Sequence, residues 1–342
     1  MAESTERASS PTLDEVALLA GVSRATVSRV VNDSPRVSPE AREAVRAAIA
    51  ELHYVPNRMA RSLVTRRTDT IALVLNEPDT RVFSDPFFAS IVRGVSATLA
   101  DTELNLVLLT ARDEREQEKV GRYARRGHVD GVILMSVHSQ DPLPDLLATA
   151  GVPLVLCGRP FDDRAVAFVD ADNRGGAVEA TEHLIAGGRR RIATVTGPLD
   201  VIAGVDRYAG HRQALTAAGH ELRPELVAEG DFTEAGGEQA MVDLLARAPE
   251  IDAVFVASDP MAIGALRALR AAGRRVPDDV AVVGYDDAAI AEASDPPLTT
   301  IAQPLGEMTP LLTELLLRQI DGVGGPAESR VCRTQLVRRA SA

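Results

Sequence analysis

Apolar residues near the N-terminus recur at the spacing of two short helices joined by a tight turn. Between residues 13 and 20 they return every three or four positions, which is the period of one helix face. Thr12 and Glu15 fit a capping box at the start of this helix, and Gly21 can end it in the left-handed conformation. Ser23 can cap a second helix whose inward positions are mostly valine. The pattern predicts a helix-turn-helix.

A third helix and a short connecting segment follow. Ser38 can cap the third helix, with Pro39 in its first turn, and an apolar stripe along it can pack under the first two helices. Three helices of about fifty residues form a core that is marginal in isolation. Asn57 can then cap a helix that ends near residue 64. A helix of that length is unstable without packing, so a frayed linker is the alternative.

From Thr70 onwards, short runs of valine, isoleucine and leucine alternate with helical patterns in two series. This alternation specifies parallel sheets with right-handed crossovers, and the continuous apolar strands fit sheets buried on both faces. The predicted fold class is therefore an all-α helix-turn-helix headpiece plus an α/β core of two doubly wound parallel-sheet lobes. The first lobe is predicted at about 70–168 and 299–324, and the second at about 169–298 and 325–342.

The N-terminal stretches DEVALLAGVSRATVSRVVN and SPRVSPEAREAVRAAIAELHYVPNRMARSL closely resemble the headpiece of the lactose-repressor (LacI) family of bacterial transcription factors. The core resembles the family's effector-binding domain, which has the periplasmic-binding-protein arrangement of two lobes around a cleft. The resemblance implies a headpiece (11–55), a hinge helix and linker (56–66) and an effector-binding core (67–342), and the polar residues 1–10 before them are predicted to be a disordered N-terminus.

The second helix of a helix-turn-helix enters the DNA major groove, where an arginine can make two hydrogen bonds to guanine and hydroxyls suit phosphate oxygens. The predicted DNA-binding residues of the headpiece are Thr12, Leu13, Ser23, Arg24, Ala25, Thr26, Ser28, Arg29 and Asn32. An ordinary helical hairpin with a solvated basic face is the alternative. The resemblance also implies a hinge helix that folds on operator DNA, with Asn57, Ala60 and Leu63 as contacts. Leu63 occupies the position of an apolar wedge in the minor groove.

The resemblance places the effector site at the carboxyl ends of the strands, where α/β sheets bind ligands. The implied effector-binding residues are Phe87, Arg159, Arg207, Phe232, Ser258 and Asp286. Arg207 would anchor ligand oxygens, Asp286 would accept hydrogen bonds, and Phe232 would stack on an apolar ligand face. Core packing for Phe87 and a surface salt bridge for Arg159 are the competing roles. These residues suit a sugar, but a nucleoside or purine could use the same aromatic and carboxylate groups.

The net charge of −12 argues at first against a nucleic-acid partner, but the charge is unevenly distributed. Residues 1–67 hold ten arginines and eight acidic residues, a surplus of two positive charges, while the remainder has a surplus of fourteen negative charges. A basic module on an acidic core follows from this asymmetry. Because the positive surplus is modest, DNA binding should need two copies of the headpiece or specific contacts.

The sequence shows no nucleophile elbow, zinc-protease motif or phosphate-binding loop, so we predict no catalytic residues, metal or cofactor. The pair of aspartates after the strand ending at Tyr285 is the one feature that would suit an enzyme. Cys157 and Cys332 lie far apart and are expected to be buried, reduced thiols. With no membrane-spanning run and no signal peptide, the protein is expected in the cytoplasm, associated with the nucleoid.

The sequence therefore predicts a ligand-responsive repressor of sugar or metabolite utilisation genes that binds a palindromic operator as a homodimer. The chain ends after its last strand with no heptad tail, which favours a dimer over a tetramer. Its partners would be double-stranded operator DNA and a small-molecule effector, for which a sugar or sugar derivative is the favoured class. Three alternatives stay open: a secreted sugar-binding protein, a sugar- or nucleotide-converting enzyme, and a regulator that uses a phosphocarrier-protein corepressor. Whether the effector releases or secures DNA stays open as well.

Overall fold

The computed structural model describes residues 11–31, 34–54, 67–324 and 328–342. The chain divides into two compact units, Met1–Thr68 and Asp69–Ala342. Four residues of the DNA-binding prediction, Asn32, Asn57, Ala60 and Leu63, lie outside the described residues, as do the predicted disordered N-terminus and the whole predicted hinge helix and linker, 56–66. These assignments stay predictions.

The first unit contains three helices, α1 (Leu13–Ala20), α2 (Arg24–Val31) and α3 (Pro39–Glu51). Thr12 and Glu15 form the predicted capping box: the Thr12 amide donates to Glu15 Oε2 at 2.6 Å and the Glu15 amide donates to Thr12 Oγ1 at 3.3 Å. Gly21 ends α1 with φ 65°, a conformation that favours glycine. One valine from each helix, Val16, Val27 and Val45, is fully buried in a shared core. The predicted helix-turn-helix and its supporting third helix are confirmed.

The second unit begins with alternating strands and helices. Its first elements are β1 (Thr70–Leu75), α4 (Asp79–Ser84), α5 (Pro86–Leu99), β2 (Asn105–Thr110), α6 (Glu114–Arg125), β3 (Gly131–Met135), α7 (Leu143–Thr149), β4 (Leu154–Cys157) and β5 (Ala167–Ala171). The central strand β3 is buried at every residue because both faces of the sheet are covered by helices.

A second alternating series follows. Its elements are α8 (Asn173–Ala186), β6 (Ile192–Thr196), α9 (Ile202–Ala217), β7 (Val227–Glu229), α10 (Glu234–Arg247), β8 (Ala253–Val256), α11 (Asp259–Ala271), β9 (Ala281–Asp286), α12 (Ala289–Ala293) and β10 (Thr299–Ala302). The chain closes with α13 (Leu305–Ile320), β11 (Ser329–Cys332) and β12 (Gln335–Val337). No described helix combines the length and the apolar character needed to cross a bilayer.

The strands form two sheets, which define the two lobes. The first lobe has the order β11-β5-β4-β3-β1-β2 with all pairs parallel, and the second has β12-β10-β9-β8-β6-β7 with only the β10–β12 pair antiparallel among the described strands. Helix α13 packs against α5 and against strands of the first sheet. The predicted fold class, an all-α helix-turn-helix headpiece plus an α/β core of two doubly wound parallel-sheet lobes, is confirmed.

The predicted boundaries of the lobes are wrong near the C-terminus. Strand β10, assigned to the first lobe, pairs with β9 of the second, and β11, assigned to the second lobe, pairs with β5 of the first. Strand β5 itself runs across the predicted division at Val169 and belongs to the first sheet. The chain therefore crosses between lobes three times, after β5, β10 and β11. Three of the four residues of β11 are exposed, so the strand carries little hydrophobic pattern to reveal its sheet.

Gly210 allows α9 to pack closely on α8, and its replacement should destabilise the second lobe. A Cβ atom at this position would overlap with the backbone carbonyl oxygen of Arg174. We expect Gly210→Ala to cost about 1–3 kcal/mol, as overpacking does, and to lower Tm by several degrees. The control is Gly306→Ala, where no atom lies within 4 Å of the added methyl group. Equal Tm values for the two variants in thermal unfolding would contradict the close approach of the helices.

Candidate functional site

The surface of α2 has the character that was predicted for a DNA-reading helix. Arg24, Ala25 and Arg29 are exposed, while Val27 and Val30 are buried against the other helices. The outward side of the helix therefore carries basic and small side chains, and the inward side supplies the apolar core that fixes its orientation.

The remaining predicted residues of the headpiece lie at helix ends or partly inside the core. Ser23 is exposed and its Oγ accepts a hydrogen bond from the Thr26 amide at 3.1 Å, so this hydroxyl caps α2. Thr26 and Ser28 are half-buried, as is Leu13, whereas Thr12 is exposed at the start of α1. These positions are compatible with backbone contacts more than with deep readout of bases.

An exposed ion pair holds Arg24 beside α1. Its Nε lies 3.7 Å from Asp14 Oδ1, and both side chains are 68% exposed. Pairs this exposed contribute little free energy, so a guanine could replace Asp14 at low cost.

A cavity of about 80 Å³ lies between the two lobes of the core, at the ends of their strands. Five of the six predicted effector-binding residues line it: Phe87, Arg159, Arg207, Phe232 and Asp286. They come from both sheets, because the carboxyl ends of the parallel strands of the two lobes face one another across the cleft.

Arg207, on α9, is held in this cavity by contacts with several groups. It is 4% exposed; its Nε donates to Asn173 Oδ1 at 2.9 Å and its Nη1 donates to the Ala257 carbonyl at 2.6 Å. The same Nη1 lies 3.3 Å from Asp286 Oδ1, and the guanidinium carbon stands 3.7 Å from the centroid of the Tyr285 ring. The planar guanidinium group of Arg207 is therefore fixed in one orientation, as directional recognition of a ligand oxygen requires.

Asp286 ends β9 with a positive φ of 114°, which turns its carboxylate into the cleft beside Arg207. Gln303 Nε2 donates to its Oδ1 at 2.7 Å. Burial raises the pKa of Asp286 to about 6, an effect that Arg207 opposes and Asp85 increases. A carboxylate held this way accepts hydrogen bonds from hydroxyl groups without an exposed charge.

Two aromatic side chains provide apolar surface on opposite lobes. Phe232 follows β7, is 5% exposed and has a φ of 64°. Phe87, at the start of α5, is half-buried and meets Phe88 edge to face at a centroid distance of 5.7 Å. Phe87 therefore both lines the cavity and packs on the core of the first lobe, so the two predicted roles coexist.

Arg159 follows β4 of the first lobe and reaches the second lobe. Its Nε and Nη2 donate to the two carboxylate oxygens of Asp206 on α9, at 2.8 and 2.6 Å. A surface salt bridge was the alternative role predicted for Arg159. The salt bridge is present, but it joins the two lobes. Because Asp206 directly precedes Arg207 on α9, this salt bridge also helps to fix the helix that carries Arg207.

Ser258 is the predicted site residue that the structure does not bring to the cavity. It is 1% exposed, and its Oγ accepts a hydrogen bond from the Met261 amide at 3.4 Å as the N-cap of α11. The hydroxyl is used by its own helix because this serine stands two residues after β8, at the N-cap position of α11. Its neighbour Asp259 is also buried and accepts hydrogen bonds from Thr300 Oγ1 and the Ala288 amide.

Several residues of the cleft were missed as site residues by sequence reasoning, namely Arg81, Asp85, Asp170, Asn173 and Gln303. Burial raises the pKa of Asp85 and raises that of Asp170 to about 6. Asp170 and Asn173 stand at the crossing from β5 to α8, where they hydrogen-bond each other at 2.9 Å. The available signal for these two residues was their position at or just after the end of a strand, but β5 is short and was not recognised as a strand.

The described residues contain no cluster of histidine, cysteine, aspartate or glutamate side chains suited to a metal ion. The two aspartates after Tyr285 do not act as a pair, because Asp286 faces the cleft whereas Asp287 binds Arg339 Nη2 at 2.7 Å. Both cysteines are free thiols, and burial raises the pKa of Cys157 to about 12.

His138 is a second link between the lobes, outside the cavity. Its Nδ1 lies 2.8 Å from Asp200 Oδ2, in the loop before α9, and its Nε2 lies 3.3 Å from Glu77 Oε1, after β1. Glu77 raises the pKa of His138 to about 9, burial opposes this, and Asp200 adds to it. Asp141, Arg112 and Glu114 are the other charged residues that line the same surface pocket as His138.

We expect the contribution of His138 to stability to fade in alkaline solution. The folded-state pKa is raised above the ordinary value of about 6.5, so the contribution is complete below about pH 6.5 and is lost as pH rises through about 9. The Tm of wild type should exceed that of His138→Gln at pH 6.5, and the gap should close by pH 10. A gap that is the same at both pH values would show that the protonated ring is not what stabilises the contact.

Comparison with known proteins agrees with this architecture. A family model described as bacterial regulatory proteins, lacI family, matches residues 12–57, and a periplasmic binding protein-like domain model matches residues 181–342. The HTH-type transcriptional regulator CelR of Thermobifida fusca is 53% identical over 338 residues, which cover 98% of this chain and 99% of CelR.

Two solved structures resemble the whole chain. A complex of the transcriptional regulator CelR with cellobiose superposes with a TM-score of 0.79 at 51% identity and covers 97% of this chain and 100% of that one. The lac repressor dimer bound to operator and the anti-inducer ONPF gives a TM-score of 0.85 at 30% identity, over 97% and 99% of the two chains. With this identity over nearly its full length, the chain belongs to the lacI family of bacterial regulatory proteins and is a ligand-responsive transcriptional regulator.

Proposed function

We propose that this protein is a dimeric repressor that binds palindromic operator DNA and responds to a neutral sugar bound between its lobes. The observation that carries the proposal is the Arg207–Asp286 pair, 3.3 Å apart, in a cleft lined by the rings of Phe87 and Phe232. Fixed donors and acceptors suit the hydroxyl groups of a sugar, and aromatic rings suit the apolar faces of its pyranose rings.

Cellobiose is the first sugar to test, because the similar CelR is known in complex with it. The cavity of about 80 Å³ is smaller than the roughly 300 Å³ or more of ordinary ligand sites. A disaccharide would therefore bind with a different spacing of the lobes. A ligand that binds one spacing better than another shifts the protein toward it, which is the requirement for control.

The headpiece supplies the DNA-binding half of the proposal. Arg24, Ala25 and Arg29 on α2 would face base edges, and each headpiece would occupy one half-site of a palindrome. Asn57, Ala60 and Leu63 would add minor-groove contacts when the hinge forms. Binding of chromosomal DNA would place the protein in the cytoplasm.

The test measures operator binding with and without candidate effectors. DNA selected from a random pool by the purified protein serves as operator, and cellobiose, ribose and adenosine serve as probes. We expect cellobiose to raise Tm and to change operator affinity by about 5–150-fold, the usual range of such coupling. The direction of the change distinguishes an inducer from a corepressor. A response to adenosine alone would overturn the sugar assignment, and no response to any probe would favour a protein corepressor.

A further inference from the structure

Arg81 is a cation in the cleft that has no assigned role. It lies on α4 of the first lobe, yet its guanidinium carbon stands 4.6 Å from the centroid of the Phe232 ring, in the second lobe. It also lies 5.6 Å from the Phe88 ring. The side chain therefore covers the aromatic face on which a sugar ring would stack.

The hydrogen-bond donors of Arg81 are only partly paired within the described residues. Its Nη1 is ion-paired with Glu77, one turn away, whereas its Nε is buried and has no hydrogen-bond partner within the part of the chain that the structure describes. A buried donor without a partner is unfavourable, and an oxygen placed over Phe232 would satisfy it.

Glu77 connects this cation to the contact between the lobes. Its carboxylate is 3% exposed and is shared between Arg81 and the Nε2 of His138. His138 in turn meets Asp200 of the second lobe, where the Ser139 amide also donates to the Asp200 carbonyl at 2.8 Å. Four side chains of alternating charge thus run from the cleft to the far lobe.

We propose that Arg81 is an effector-contacting residue and that the chain Arg81–Glu77–His138–Asp200 transmits its position to the junction between the lobes. This inference rests on the proposed function. A sugar that stacks on Phe232 either displaces the guanidinium or accepts a hydrogen bond from its Nε. Either event changes how much of the Glu77 carboxylate is available to His138, and so changes the strength of the contact with Asp200. The same four charged side chains then affect both the binding of the ligand and the spacing of the lobes.

A merely structural role for these residues makes a different prediction from a transmitting one. Two independent structural defects add in free energy, so their effects on a measured ratio multiply. The effects of two substitutions in one series of interacting side chains do not multiply, because the first substitution already interrupts the transmission that the second would affect. The informative quantity is the coupling factor, the ratio of operator affinities with and without cellobiose.

The experiment is a double-mutant cycle with Arg81→Met and His138→Gln in the full-length protein. We expect each single variant to reduce the coupling factor at least threefold, and the double variant to fall within twofold of the lower single variant. If the coupling factor of the double variant is reduced by the product of the two single effects, about ninefold or more, the proposed transmission through Arg81–Glu77–His138–Asp200 is overturned. If wild type binds operator but no probe sugar changes that binding, the proposed function and this inference fail together; a wild-type response with multiplying effects overturns the inference alone.

The middle link is tested separately by nuclear magnetic resonance of the His138 ring, assigned from its loss in His138→Gln. Cellobiose should shift this signal in wild type and leave it unmoved in Glu77→Gln, which keeps the size of the side chain. The control is Glu328→Gln, which removes a carboxylate that pairs with Arg318 in the first lobe at 3.0 Å, away from the cleft. A shift that persists in Glu77→Gln would show that the signal does not pass through this carboxylate.

Discussion

Replacing Arg207 with methionine is expected to lower effector affinity by about 100-fold or more and to leave sugar-free operator binding within about twofold. Hydrogen bonds to charged groups contribute about 1.5–3 kcal/mol each, and a ligand held by two of them would lose that whole contribution. Methionine keeps an unbranched apolar stem beside Phe232 but has no donor to offer. Isothermal titration with cellobiose and operator-binding titrations measure the two quantities on the same preparation.

Folding of this variant needs its own check, because Arg207 is buried and pairs with Asp286. Arg207→Lys retains the charge but not the planar fork, and should also lose most of the effector affinity. The control is Arg223→Met, on the surface of the same lobe, where the arginine pairs with Glu225 and Glu250. Folded Arg207 variants that bind cellobiose as tightly as wild type would show that the cleft is not the effector site.

The buried strands of the core were predictable from sequence, because burial on both faces demands an uninterrupted apolar run. Every residue of β3 is buried, and its run of valine, isoleucine and leucine is continuous. Helix α10 begins and ends at the predicted residues, after a threonine cap whose Oγ1 accepts from the Gly236 amide at 3.0 Å. Such local signals need no knowledge of the partner elements.

The side of the first sheet formed by β5 and β11 was not predictable in the same way. Strand β5 ends in an aspartate and an alanine, and β11 exposes most of its residues, so neither shows the pattern of a buried strand. Which sheet receives a strand depends on the three crossings between the lobes. Two residues separate β11 from β12, yet these strands belong to different lobes.

Residues of the cleft were predictable where topology alone brings them together. Asp286 ends one parallel strand of the second sheet and Phe232 follows another, so their presence in the same cavity is a consequence of strand direction. Arg81 is different, since it lies on a short helix inserted in a loop, and no local pattern indicates that it crosses to the other lobe. Ser258 was predicted as a site residue but is not one. It lies near the carboxyl end of a strand, as a site residue should, but its hydroxyl caps the next helix.

Replacing Arg24 with alanine is expected to weaken operator binding by about 30-fold or more. A bidentate contact of arginine with guanine is worth about 1–3 kcal/mol, and a dimer on a palindrome makes it twice, so about 2–6 kcal/mol is at stake. The exposed pair with Asp14 offers little compensation, because both side chains are largely solvated. Filter binding or fluorescence anisotropy with the selected operator measures the loss.

The control must separate base reading from simple loss of charge. Arg46→Ala removes the same charge from an exposed position on α3, a helix that is not predicted to enter the groove. Loss of charge alone would weaken both variants alike and on every DNA sequence, and it would lower the salt dependence of binding equally. Base reading by Arg24 predicts instead that wild type discriminates strongly at one base pair of each half-site and that Arg24→Ala does not. Equal affinity losses in the two variants, with discrimination intact, would remove Arg24 from the recognition surface and leave Arg29 as the basic residue of α2 able to read bases.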